Sequence, residues 1–250
     1  MAPRVVVVGL ASDFGCQVQM TNIEDHLLDV LGVIDLVYWQ LASSGHMPEE
    51  YDVAIVEGAV TTEEHLRVLE HVRQTAAAVI AIGSCAVTGG IPALASRGDL
   101  EARYGCVYGE DGAAVACGRI SPMPVHAVID VDYRVPGCPI DTDEFVRVLS
   151  RALLGLADRI SDEPLCAACK MKENVCFYDR SEVCLGPVTR SGCGARCVCL
   201  GRPCTGCRGL SPEANIESLV ELLEERGVSR AELERRISLY NAFEEEGSPR

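Results

Sequence analysis

The chain has 250 residues, 48% of them hydrophobic and 24% charged, with a formal net charge of −15. An acidic surface of that kind disfavours a nucleic-acid partner, whose phosphates it repels. No apolar run approaches the roughly 18 residues of a membrane-spanning helix, so no membrane insertion is expected. The first apolar run, residues 5–10, is too short for a secretory leader with its cleavage region and reads as a strand, which makes the cytoplasm the expected location.

Over the first 157 residues short apolar runs alternate with helical patterns, the signature of parallel strands joined by crossover helices. Strands are expected at 5–10, 35–39, 53–56, 78–82 and 128–131, and helices at 22–31, 62–74 and 141–156. Thr62 opens the second helix like a capping box, and Asp141 with acidic neighbours suits the start of the third. Residues 95–121 lapse into Gly-rich sequence holding Cys106 and Cys117 and read as an excursion from the sheet. Ser161-Asp162-Glu163-Pro164 reads as a linker. Beyond Gly209 come two amphipathic segments, 215–226 and 231–243, the second opened by Ser229 with Glu232 three residues on; they read as a packed or partner-docking helical pair. The expected organisation is therefore an α/β doubly wound domain over 1–160, a cysteine-rich domain over 161–210 and a helical segment over 211–250.

Nine of the fourteen cysteines fall between Cys166 and Cys207, spaced C-x2-C-x6-C-x7-C-x8-C-x3-C-x-C-x4-C-x2-C. Two four-iron clusters need eight thiolates, and this run supplies eight with one over: Cys166, Cys169, Cys176, Cys184, Cys193, Cys197, Cys204 and Cys207, with Cys199 as the surplus thiol. A disulfide framework fits poorly with a cytosolic α/β chain. Zinc stays open as an alternative, because the pairs Cys166/Cys169 and Cys204/Cys207 would also suit a tetrahedral thiolate site in an interaction module.

The isolated cysteines of the first domain follow predicted strands: Cys16 after the first, Cys85 after the fourth, Cys138 after the last. In a doubly wound sheet the carboxyl ends of the strands share one edge, where ligands bind, so these three thiols are expected to meet. A four-iron cluster needs a fourth ligand. Asp13, three residues before Cys16, stands where a C-x2-C pair would have its first thiolate; carboxylate oxygen is a harder donor and would alter the potential. Capping of the following helix is the competing role for Asp13, and burial as a small hydrophobe the competing role for each cysteine.

Together these motifs resemble the small, electron-transfer subunit of cytoplasmic group 3 nickel–iron hydrogenases. The residues that carry the resemblance are Leu10-Ala11-Ser12-Asp13-Phe14-Gly15-Cys16-Gln17, Val56-Glu57-Gly58, Gly83-Ser84-Cys85-Ala86, Gly89-Gly90-Ile91-Pro92 and Pro136-Gly137-Cys138-Pro139. The tail, with Cys166-Ala167-Ala168-Cys169-Lys170, Cys184-Leu185-Gly186-Pro187, Gly192-Cys193 and Cys204-Thr205-Gly206-Cys207, is similar to that of the NADP-linked bidirectional type also called sulfhydrogenase. The resemblance implies a flavodoxin-like first domain and three 4Fe-4S clusters. It implies a large subunit carrying the nickel–iron centre, and a flavin and iron–sulfur NAD(P) reductase partner. Hydrogen would be split on the large subunit. Many family members have cysteine where Asp13 stands; F420-reducing relatives are similar in using an aspartate there, so the acceptor is left open.

Glu57, at the end of the third strand, reads either as a proton-handling or interface group or as a solvated strand-end carboxylate. His26, His46, His65, His71 and His126 show no ligand spacing and are assigned no metal. Residues 88–92 lack the lysine of a P-loop and read as close backbone packing. A quinone-reductase-like cluster subunit is the other redox reading; such relatives typically show adjacent cysteines at the first site and lack this eight-cysteine tail.

Overall fold

The computed structural model describes residues 2–23, 27–109 and 118–243. Five parallel strands form the central sheet: β1 (Arg4–Gly9), β2 (Asp35–Trp39), β3 (Val53–Glu57), β5 (Ala78–Ile82) and β7 (Tyr133–Val135), in the order β2-β1-β3-β5-β7. A separate antiparallel pair joins β4 (Val60–Thr62) to β6 (Arg119–Met123). Counting only the sheet strands, this is the 2-1-3-4-5 order of flavodoxin-like folds, with its ligand crevice at the carboxyl ends. The fold class expected from the sequence is the one found.

The strands read as unbroken apolar runs because both faces of the sheet are covered. Val6, Ala54, Val56, Val79 and Ala81 face a core shared with Leu69 and Val72 of α3 (Glu63–Thr75) and with Ala86 of α4 (Gly83–Thr88). On the other face Val5, Val7, Ile55, Ile80 and Ile82 pack against Met20 of α1 (Gly15–Thr21) and Phe145, Val148 and Leu149 of α6 (Thr142–Leu153). Thr62 and Asp141 cap α3 and α6 as expected, accepting from His65 N and Glu144 N.

Two elements differ from expectation. The last strand lies at Tyr133–Val135, not 128–131; Val125–Ala127 is a 3₁₀ turn and Val128 has helical dihedrals. The apolar residues Val128, Ile129 and Val131 pack onto the core from outside the ladder. Asp132 immediately precedes the strand, its carboxylate accepting from Val79 N at 2.8 Å and from Arg73 at 2.6 Å. The helix expected over 22–31 is two pieces: α1 ends before Asn22, its C-cap, and α2 covers Leu27–Val33. The 95–121 excursion contains α5 (Leu100–Tyr108) and returns through β6, while Cys117 lies outside the described residues.

The cysteine-rich segment has little regular structure: α7 (Leu165–Met171), α8 (Arg196–Cys199) and two 3₁₀ turns. The amphipathic pair forms α9 (Ile216–Glu224) and α10 (Arg230–Ser238), which bury Leu219, Leu223 and Leu233 against Val183, Leu185 and Val188 of that segment. Among the described residues no helix is long and apolar enough to cross a membrane.

Candidate metal centres

Sharp turns at three strand ends place the first group of thiols. After β1 the chain enters α1 through Phe14, held in the left-handed region at φ 60°, and Cys16 falls in the helix's first turn. After β5, Gly83 (φ +82°) opens α4; a Cβ there would lie 2.5 Å from Cys16 Sγ, so only glycine lets the two loops approach. Ser84 N donates to Gly137 O at 2.7 Å, tying the Cys85 turn to the loop that carries Cys138. A Cβ on Gly90 would stand 2.9 Å from Cys85 N and 3.1 Å from its Sγ, so Gly90 is there for close packing against that cysteine, while Gly89 packs against Ala93.

The three thiols lie close enough to act on one another electrostatically. Burial, then the Glu57 carboxylate, then Cys138 and Cys85 push the Cys16 thiol far up. Burial first, with Cys138, Asp13 and Glu57 adding to it, pushes Cys85 up to about 11, and burial likewise raises Cys138. Asp13 thus lies within electrostatic reach of the group. Its Oδ1 also accepts from Gly15 N at 2.9 Å, the local turn of the competing role.

Glu57 is not a solvated strand end. It is 1% exposed, its Oε1 accepts from Cys16 N at 3.0 Å, and burial holds its carboxyl above its ordinary range. Gln17 beside it is fully buried and accepts from Trp39 Nε1 at 2.6 Å.

In the tail, Cys166 is raised to about 11 by burial and then by Cys184, Cys169 and Cys176, which marks those four as neighbours. Burial also raises Cys207 to about 11; the Cys138 backbone amide draws it back, and Cys193 and Cys197 add to the rise. Cys204, raised to about 12 mainly by burial, sits between the two groups: its N–H donates to Cys184 Sγ at 3.3 Å, while its own Sγ accepts from Gly206 N at 3.4 Å. Among the described residues no three His, Cys, Asp or Glu side chains converge on a single metal-ion position.

Three residues that sequence reasoning did not assign join the two regions. Arg208, 2% exposed, makes a bidentate pair with Glu144 (2.6 and 2.8 Å) and donates to Pro136 O at 2.7 Å and Ser191 O at 2.9 Å. It therefore clamps the Cys138 loop to the Cys193 and Cys207 loops. Tyr240, just past α10, approaches both Cys138 and Cys207. Adjacency of Arg208 to Cys207 was a signal in the sequence; nothing local marked Glu144 or Tyr240. A cleft of about 270 Å³ runs between the two regions, lined by Cys138, Cys193, Cys197, Cys207 and Leu200.

The remaining candidates lie elsewhere. Cys199 is exposed near Asn174, and Cys106 is exposed on α5. His65 caps its own helix start through Thr61, His71 packs edge-on against Tyr51, and His126 does so against Phe243. His26 lies outside the described residues.

The sequence profile of the family described as NADH ubiquinone oxidoreductase, 20 Kd subunit, matches residues 14–152, which include all three sheet-edge cysteines. The delta subunit of sulfhydrogenase 2 from Pyrococcus furiosus is 35% identical over 212 residues, 84% of this chain and 88% of that one. The chain belongs to this family, as a hydrogenase small subunit. This small subunit is also 29% identical to a subunit of the F420-non-reducing hydrogenase vhu of Methanocaldococcus jannaschii, over 97% of the chain and 95% of the relative. It is 30% identical to the delta subunit of the NAD-reducing hydrogenase HoxS of Cupriavidus necator, over 61% of the chain and 79% of the relative. Among solved structures, a chain of an NAD⁺-reducing NiFe-hydrogenase superposes with a TM-score of 0.55 at 26% identity, over 64% of this chain and 95% of that one. The actinobacterial-type NiFe-hydrogenase from Ralstonia eutropha H16 shares the fold, with a TM-score of 0.58 at 17% identity over 90% and 92% of the two chains. The small subunit is thus a component of an oxidoreductase complex.

Proposed function

We propose that this subunit relays electrons through three four-iron clusters between a nickel–iron large subunit and a flavin-containing NAD(P) reductase. The observation that carries the reading is continuity: Cys138 of the sheet-edge group acts directly on Cys207 of the tail, so the two thiol-bearing regions adjoin. The ligand sets we assign are Asp13, Cys16, Cys85 and Cys138; Cys193, Cys197, Cys204 and Cys207; and Cys166, Cys169, Cys176 and Cys184. Bound clusters would supply one-electron carriers in series. The residues present fit them, because the donor sets are thiol-rich and backbone N–H groups point at Cys184 and Cys204. The hydrogenase names of the full-length relatives weigh against both a zinc module and a quinone-reductase subunit. Glu57, buried behind Cys16, would hold the Cys16 turn in place and could pass a proton toward the large-subunit face.

Iron and acid-labile sulfide analysis of the anaerobically purified complex tests the count. Three clusters' worth in this chain is expected; stoichiometric zinc with little iron refutes the reading. Asp13 is tested by potentiometric EPR: Asp13→Cys is expected to keep the cluster and shift its potential, and Asp13→Ala to leave one iron labile. Unchanged signals, potentials and iron content in Asp13→Ala would reduce Asp13 to a turn residue.

A further inference from the structure

Charge is spread unevenly over this acidic chain. Residues 166–208 carry seven basic side chains against three acidic ones, a net of +4, while the remainder, with 15 basic and 34 acidic residues, carries −19. The only two lysines of the chain, Lys170 and Lys172, lie there, between Cys169 and Cys176. Two of the seven cations are paired internally, Arg190 with Asp162 and Arg208 with Glu144. The other five, Lys170, Lys172, Arg180, Arg196 and Arg202, are exposed and form no ion pair among the described residues.

Four of them, Lys170, Lys172, Arg196 and Arg202, sit on two loops that meet. The loop over 170–176 lies across the loop over 194–202: Asn174 Nδ2 donates to Cys199 Sγ at 3.4 Å, and a Cβ on Gly194 would stand 3.0 Å from Lys172 Nζ. Among the cations stand three apolar side chains that water surrounds, Met171 at 86% exposure, Leu200 at 73% and Val175 at 58%. Cys176 and Cys197 reach the same surface. Apolar anchors among exposed cations that have no ion pair among the described residues are the anatomy of a docking site, and their charge complements an acidic partner. A membrane or a nucleic acid is an extended anionic surface and would meet the −19 remainder as well. A compact protein touches the patch alone.

We propose that the surface built from residues 170–176 and 194–202 is the electron-exit face and that it receives an acidic redox protein or subunit, whose carboxylates surround its own electron carrier. This rests on the relay reading above. One electron leaves this chain and reduces the partner's cofactor, with no bond made or broken.

The test mixes the intact anaerobic complex, reduced with dithionite and desalted, with oxidised plant-type ferredoxin, which is acidic, or with cytochrome c, which is basic. Stopped-flow absorbance follows the transfer. The wild-type rate to ferredoxin is expected to fall about tenfold or more as salt is raised. The triple variant Lys170→Glu/Lys172→Glu/Arg202→Glu should be about tenfold slower with ferredoxin at low salt, faster with cytochrome c, and unchanged in iron content; a shift in cluster potential from the added negative charge would move both rates in the same direction, so their opposite changes report docking. Should the triple variant lose iron, the single changes Lys172→Gln and Arg202→Gln replace it, each expected to slow ferredoxin reduction about threefold. Equal rates and salt dependence in wild type and variant overturn the proposal. So does charge-dependent binding to phosphatidylglycerol vesicles with ferredoxin transfer unaffected, which would make the patch a lipid site. Because dithionite supplies the electrons, a complex that fails to oxidise hydrogen refutes the relay's hydrogenase context while leaving this test intact.

Discussion

At the sheet edge, Cys16, Cys85 and Cys138 come from three strand ends distant in sequence, and each is aimed by a turn that the parallel ladder holds in place. In the tail, nine cysteines lie within one short segment, carried by two short helices and 3₁₀ turns around a core of Leu165, Phe177, Ala195, Val198 and Cys204. The first region buries enough apolar surface to exist before any ligand arrives. In the second, Cys169, Cys184 and Cys193 pack against that small core while Cys176 and Cys197 reach the surface, so its order depends on what the cysteines hold. The two regions differ in electrostatics too: the sheet-edge group faces the acidic residues Asp13 and Glu57, the tail a cationic surface.

Removing the clusters should separate the regions most sharply. Anaerobic chelation is expected to abolish amide-exchange protection across the cysteine-rich segment while Arg4–Gly9, Val53–Glu57 and Ala78–Ile82 keep theirs. Joint loss of protection in both would show that the sheet, too, depends on its ligand.

A smaller effect tests the joint between them. Arg208 and Glu144 are both buried, and Arg208→Met strands a carboxylate in the interior, a change that typically costs about 3–5 kcal/mol. At this chain length that lowers Tm by roughly 2–4 °C per kcal/mol. Adding Glu144→Leu should recover most of the loss, because an apolar pair of similar volume replaces the ion pair. Thermal unfolding of the single and double variants measures both.

Glu57→Gln probes the sheet-edge site alone and should have the smallest effect. Burial raises the Glu57 pKa above its ordinary 4.5, so its stabilising contribution is complete below that value and is lost as pH rises through the raised one. The glutamine variant has no such loss and keeps an acceptor for Cys16 N. Denaturant titrations from pH 4.5 to 7 should show the variant gaining on the wild type as pH rises. A flat difference across that range would mean that folding does not raise the Glu57 pKa.

The sequence was most legible where chemistry is local. Capping by Thr62, Asp141 and Ser229 appears where residue type and spacing put it, because a cap satisfies N–H groups two or three residues away. The boundaries were less legible around residues 128–135, since apolar residues covering a sheet look like apolar residues inside one. Residue 57 was left open between a solvated and a functional carboxylate, and only the closure of α1 over β3 decided that it is buried.

What the sequence determined by itself is the doubly wound fold, the strand ends that carry Cys16, Cys85 and Cys138, and the dense cysteine tail, because apolar periodicity and residue spacing record local constraints. The tertiary structure alone decided that Arg208 pairs with Glu144 across the two regions, that Tyr240 returns from the last helix to reach Cys138 and Cys207, and that the loop of Lys170 and Lys172 lies against the loop of Arg196 and Arg202. Those are contacts between segments far apart in the chain, fixed by how the tail packs onto the sheet edge, and no local pattern carries that information.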